Sequence, residues 1–227
     1  MLGFVPKAQP TKFLIIICWV RLRPCSAVRA STQPTKTIKL LNLQLIFMQY
    51  RRAKVAGGTY FFTVVTHKRR EFLCELDNIE ILKKAFRYVI QRHPFTIDAI
   101  IILPNHLHCI WTLPKDDYSF SKRWQLIKNF FSRNCPSQYR GEVSLSQQKK
   151  KEQAIWQRRF WEHCILNQQD FINHVEYIHY NPVKHGLVQA PKNWQYSSFS
   201  RYVQQGIYDL EWGSNEEIIF SETVGHE

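Results

Sequence analysis

Nothing in these 227 residues reads as a membrane span. The apolar run "FLIIICWV", residues 13–20, is too short to cross a bilayer, and Arg21, Arg23 and Arg29 follow where an export signal avoids positive charge. The six cysteines contain no CxxC pair, which argues against a disulfide scaffold and for a reducing cytoplasmic setting. No GxxxxGK phosphate loop occurs, so no nucleotide cofactor is expected, and "HVEYIH" lacks the HExxH spacing of a zinc protease. Asp98, Glu162 and Glu176, the acids near apolar elements, do not by themselves define a carboxylate triad. Acidic residues are missing altogether from positions 1–47, which carry seven Lys or Arg, and methionine occurs only at Met1 and Met48. The organised pattern begins at the second with "MQYRRAKVAGGTYFFTVVTH", so residues 1–47 are expected to be an upstream extension or a disordered basic segment.

What is present is a foldable, basic chain. Hydrophobic residues make up 44%, enough to exclude wholesale disorder. The net charge is +13, and beyond residue 47 the balance is still 24 basic against 18 acidic residues, which points to a polyanionic partner such as nucleic acid. "YFFTVVT" at 60–66 reads as a buried strand after Gly57-Gly58. In residues 78–94 Ile79, Leu82, Phe86, Val89 and Ile90 recur at helical spacing, with Asn78 as the expected cap and Pro94 beyond the end. Pro104-Asn105 divides the next apolar stretch into strand, turn and strand. A second helix fits 119–133, with Trp124, Ile127, Phe130 and Phe131 inward. Residues 141–154 read as a mobile basic loop, "IWQRRFWEHCIL" as a strand, and "DFINHVEYIHYNPVKHGLV" as a helix capped by Asp170 and ended by Pro182 and Gly186. The order β-α-β-β-α-β plus a helix is that of an α+β fold, a ferredoxin-like split βαβ with an antiparallel sheet and helices packed on it.

"ILPNHLHCIW" then poses a chemical question. Alternation along a strand puts His106, His108, Ile110 and Thr112 on one face and the apolar Leu107, Cys109, Trp111 and Leu113 on the other. Two imidazoles so placed can converge on one metal ion, or each can simply hydrogen-bond a neighbour; a third ligand is needed to decide. On the last helix, at ~100° per residue, Phe171, Ile172, Val175 and Ile178 form the core stripe, and Tyr180 falls nearly opposite, toward solvent or a partner. Tyr177, Asn181 and His174 share a flank. From there Asn181 can offer an amide oxygen to the ion, and Tyr177 is either a nucleophile or an amphipathic boundary residue.

"PNHLHCIWTLP" resembles the His-hydrophobic-His motif of HUH single-strand endonucleases, and "FWEHCIL...DFINHVEYIHYNPVKHGLV...WQYSSFSRYV" resembles the REP-associated tyrosine transposases, a single-tyrosine branch related to small insertion-sequence transposases. The likeness covers residues 48–212, leaves 213–227 as a tail, and includes the Tyr50-Arg51-Arg52 opening. By position it implies His106 and His108 as metal ligands for Mg²⁺ or Mn²⁺, Asn181 as the third ligand and Tyr177 as the nucleophile. His174 is an auxiliary base candidate from helix geometry. The implied activity is cleavage and strand transfer of single-stranded DNA at REP-type palindromic hairpins, by a monomer or homodimer in the cytoplasm at the nucleoid. Arg51, Arg52, Lys83, Lys84, Arg87, Arg158 and Arg159 are candidate DNA contacts. The rival expectation is a non-catalytic nucleic-acid-binding module of the same fold whose histidines are structural.

Overall fold

A computed structural model describes residues 54–149, 152–214, 217–221 and 224–225. The expected extension over 1–47, with Tyr50, Arg51 and Arg52, lies outside them. Strand β1 (Thr59–Val65) leads through a turn into α1 (Leu76–Arg92), β2 (Thr96–Ile102), β3 (His106–Thr112) and α2 (Phe120–Asn134). A short α3 (Leu145–Lys149), β4 (Trp161–Cys164), α4 (Gln168–Lys184) and α5 (Phe199–Gln204) complete the chain.

The sheet order is β2-β3-β1-β4 with every pairing antiparallel, the split βαβ arrangement expected. Strand alternation divides the core in two. Tyr60, Phe62 and Val64 face one way with Leu107, Cys109 and Trp111, and are covered by Leu82 and Phe86 of α1 and Trp124 and Ile127 of α2. Phe61, Ala99, Ile101 and Ile110 face the other way, under Val175 and Ile178 of α4. The histidine face of β3 is therefore roofed by a helix, and His106 and His108 are 3% and 0% exposed.

Several local expectations are corrected. Asn78 does not cap α1: the helix starts at Leu76, and the buried Asn78 amide donates to the Phe72 carbonyl. Asp170 is not the cap of α4: Asn167 Oδ1 accepts from the Asp170 N–H, so Asp170 lies in the first turn with its carboxylate turned back to the Leu166 N–H. Pro182 does not end α4 but lies inside it, and the chain leaves the helix near Gly186, whose φ of +65° only glycine adopts without strain. The stretch 141–154 is not all loop, since it holds α3. The strand expected across 155–166 shortens to four residues, preceded by an isolated bridge between Thr66 and Trp156. Residues 194–198 run along the free edge of β2: Ile102 N–H donates to the Tyr196 carbonyl, Ser198 N–H to that of Ile100, and the Trp194 indole to that of Ile102. The four described cysteines are free thiols.

Candidate active site

The site is built where α4 lies over β2 and β3, with Phe61 of β1 against its side chains. Thr63 Oγ1 lies 2.9 Å from His108 Nδ1, and Asn105 Oδ1 lies 2.5 Å from His106 Nδ1. These contacts occupy one nitrogen of each ring, which selects Nε2 as the atom able to ligate. The two ring centroids are 4.8 Å apart. Above them the Tyr177 ring lies 5.3 Å from that of His108, and the His185 ring 5.3 Å from that of His106. Asn181 is one turn from each of those residues on the same helical stripe and is fully buried. Two imidazole nitrogens and one amide oxygen make a neutral donor set, suited to a divalent ion that keeps open positions for phosphate oxygens.

The phenol of Tyr177 is only 1% exposed. Lys184 Nζ donates to its oxygen at 3.2 Å and lies 4.8 Å from the ring centroid. The carboxy-terminal segment closes over it: Phe220 meets the ring edge-on at 5.4 Å, and a Cβ on Gly225 would fall 2.1 Å from Tyr177 Cζ. Helical spacing put Tyr180 opposite the core stripe, toward solvent or a partner, and the chain's own carboxy-terminal segment fills that place. Tyr180 is 7% exposed because the same segment wraps the outer side of α4, with Phe220 at 5.9 Å and Trp212 at 6.4 Å. Nor are Phe171 and Ile172 full members of the core stripe, being half-buried beside Val175 and Ile178.

His174 is turned away from the phenol. Its Nδ1 lies 2.8 Å from the Asp170 backbone carbonyl and 3.0 Å from Asp170 Oδ1, its ring stacks on His163 at 4.7 Å, and the other carboxylate oxygen is 2.8 Å from His163 Nε2. Phe61 lies against both His174 and Tyr177. Burial and these bonds set the charges: desolvation lowers the His174 pKa, while the Leu166 N–H and His163 outweigh burial and hold Asp170 below the usual carboxylate range. These three groups offer ligand atoms within 4.8 Å of one another, and one nitrogen of each imidazole is already engaged by the carboxylate. The arrangement is a carboxylate bridging two imidazoles.

The basic residues divide by face. Lys83, Lys84 and Arg87 are exposed on α1, across the sheet from Tyr177, and Lys83 pairs with Glu80. Arg158 and Arg159 are exposed before β4, Arg158 paired with Glu152 at 3.1 Å. Lys184 and His185 were missed in the sequence because both follow Pro182, where a helix was expected to stop.

A strand with two inward histidines beneath a helix carrying a tyrosine and an amide is the frame of a DNA transposase. The sequence profile described as "Transposase IS200 like" matches residues 39–181, and the chain belongs to that family. Its relatives define the branch as that of the REP-associated tyrosine transposases. The REP-associated tyrosine transposase of Escherichia coli K12 is 41% identical over 167 residues, 74% of this chain and 92% of that one. A Haemophilus influenzae protein assigned provisionally to the same class is 42% identical over 169 residues, 74% of this chain and 95% of its own. The solved structure of a REP-associated tyrosine transposase bound to a REP hairpin is similar with a TM-score of 0.65 and 38% identity, covering 80% of this chain and 98% of that one.

Proposed function

We propose that this transposase cleaves and rejoins single-stranded DNA beside REP-type hairpins through a covalent link to Tyr177. The observation that carries the reading is the edge-on contact of Tyr177 with His108 and of His185 with His106, two residues of one helical stripe that has Asn181 between them. His106, His108 and Asn181 would hold Mg²⁺ or Mn²⁺, which supplies neutralisation of phosphate charge as the bond order at phosphorus changes.

The chain's own groups do the rest. Tyr177 Oη attacks phosphorus as the bond to the departing 3′-oxygen breaks, leaving a 5′-phosphotyrosine and a free 3′-hydroxyl. The phenol proton, held by an unperturbed phenol up to pH ~10, goes to solvent while the departing 3′-oxygen takes one up in exchange, and the ammonium of Lys184 offsets the negative charge that develops on Oη. In rejoining, another 3′-hydroxyl attacks the same phosphorus and Tyr177 departs, so the energy of the original phosphodiester is kept and no ATP is required.

The test incubates the protein with Mn²⁺ and end-labelled hairpin DNA from repeats flanking its own gene, beside Tyr177→Phe and Tyr180→Phe. A covalent adduct formed by wild type and Tyr180→Phe but absent from Tyr177→Phe is expected. Hairpin binding with neither adduct nor nick across several metals would replace this reading with that of a binding module.

A further inference from the structure

A second concave surface lies on the far side of the sheet. Between α2 and residues 152–160 is a cavity of about 480 Å³, large enough for one nucleotide. Trp124, Trp156 and Phe160 line it, and Lys128, Arg133 and Arg158 add positive charge, against the single acid Glu152, which is already paired with Arg158. Three groups lining it are buried without a hydrogen-bond partner: the indole N–H of Trp124, that of Trp156, and Oε1 of Gln153. Buried donors and acceptors are rarely left unpaired in a folded chain, so these ask for a ligand bearing both kinds of group.

We infer that this cavity receives one unstacked base of the single-stranded DNA flank, with the adjoining phosphate against Lys128 and Arg133. The ligand that matches is flat and apolar on its faces, polar along its edge and joined to an anion, which describes a nucleotide in a single strand. Aromatic surface combined with cations is the usual means of gripping such strands. Residues 152–160 run directly into β4, the outer strand of the sheet, so a strand leaving Tyr177 reaches the cavity by passing round that edge. The cavity would fix how far from the hairpin the scissile phosphate lies. This inference rests on the reading of the chain as an enzyme of single-stranded DNA.

The experiment uses the full chain as Tyr177→Phe, which binds without cleaving, and hairpin DNA whose flanks carry 5-iododeoxyuridine at one position at a time. Irradiation should give a cross-link at one flank position, mapping to Trp156 or Phe160. Ser132→Trp, which fills the cavity from half-buried Ser132 on α2, should abolish that cross-link and weaken flank binding about tenfold at an unchanged melting temperature. Lys128→Glu serves as a second variant and should do the same. Bound hairpin with no flank position cross-linking to these aromatics, or a cross-link that survives both variants, overturns the inference. Absence of any hairpin binding would overturn the single-strand reading with it.

Discussion

Deleting residues 217–227 should make the enzyme faster. In the proposed mechanism a phosphate must reach Tyr177 Oη, and Gly225 and Phe220 lie on that ring, so the docked tail and the substrate would compete for the same surface. The strength of docking follows from what it buries. Phe220 and Val224 together remove on the order of 200 Å² of apolar surface from water, which at ~25 cal/mol/Å² gives about 5 kcal/mol. Ordering three or four tail residues costs about 1 kcal/mol each, leaving a net preference for the docked form of about 1–2 kcal/mol. The undocked form is then a few to about 15% of molecules, and its release raises the rate of adduct formation roughly 5- to 30-fold. Gly225→Ala should act in the same direction, because its φ of +75° and the 2.1 Å approach to Tyr177 leave no room for a methyl group. The assay is the initial rate of covalent adduct with hairpin DNA at saturating Mn²⁺. A truncated protein that folds normally and reacts within twofold of the full chain would refute the competition.

Three further outcomes follow from the site and its surroundings. Lys184→Ala should slow adduct formation by about 10–100-fold with little effect on hairpin affinity, and Lys184→Arg should recover most of the rate, because the role is a positive charge on Oη; equal loss in both variants would contradict it. Mn²⁺ should raise the melting temperature of wild type, and the rise should vanish in His106→Ala with His108→Ala; a rise that persists would place the ion elsewhere. Asp98 is a pH-dependent liability: burial raises its carboxyl to about 6 even though Thr112 donates to it at 2.7 Å. A folded-state pKa above the unfolded value means that its contribution is most favourable below pH ~4 and is lost as pH rises to about 6, on the order of 1–2 kcal/mol for a half-buried group. Asp98→Asn should therefore melt higher than wild type at pH 7.5 and lose that advantage at pH 4, which calorimetry across the range would check.

Much of this architecture is legible in the sequence itself. Period-two alternation assigned Tyr60, Phe62 and Val64 to one core, and the spacing in α4 brought Tyr177 and Asn181 to one flank, because both rules depend only on local backbone geometry. What was missed depended on distant segments. Tyr180 is buried by residues more than thirty positions away, and no helical wheel contains them. His174 shares a flank with Tyr177 yet points to Asp170, since one turn of helix is enough to let two neighbours serve different partners. Lys184 was hidden by the proline rule, which tertiary packing overrode at Pro182.

The carboxylate of Asp170 ties β4 to the first turn of α4 through His163, while the other end of the helix runs out into exposed residues at Lys184 and His185. Mechanically this is a bar held at more than one point, because His179 Nε2 lies 2.8 Å from Ser198 Oγ and residues 177–182 are all buried. Asn181 stands 11 residues beyond Asp170, about 16 Å along the axis, and only two residues beyond the His179 contact. Displacements of about 1 Å already cost rate heavily where reacting atoms must align. The alignment of the tyrosine and amide is thus set from two places, His163 near the start of the helix and Ser198 near its end, so a substitution at either would blunt the enzyme from a distance.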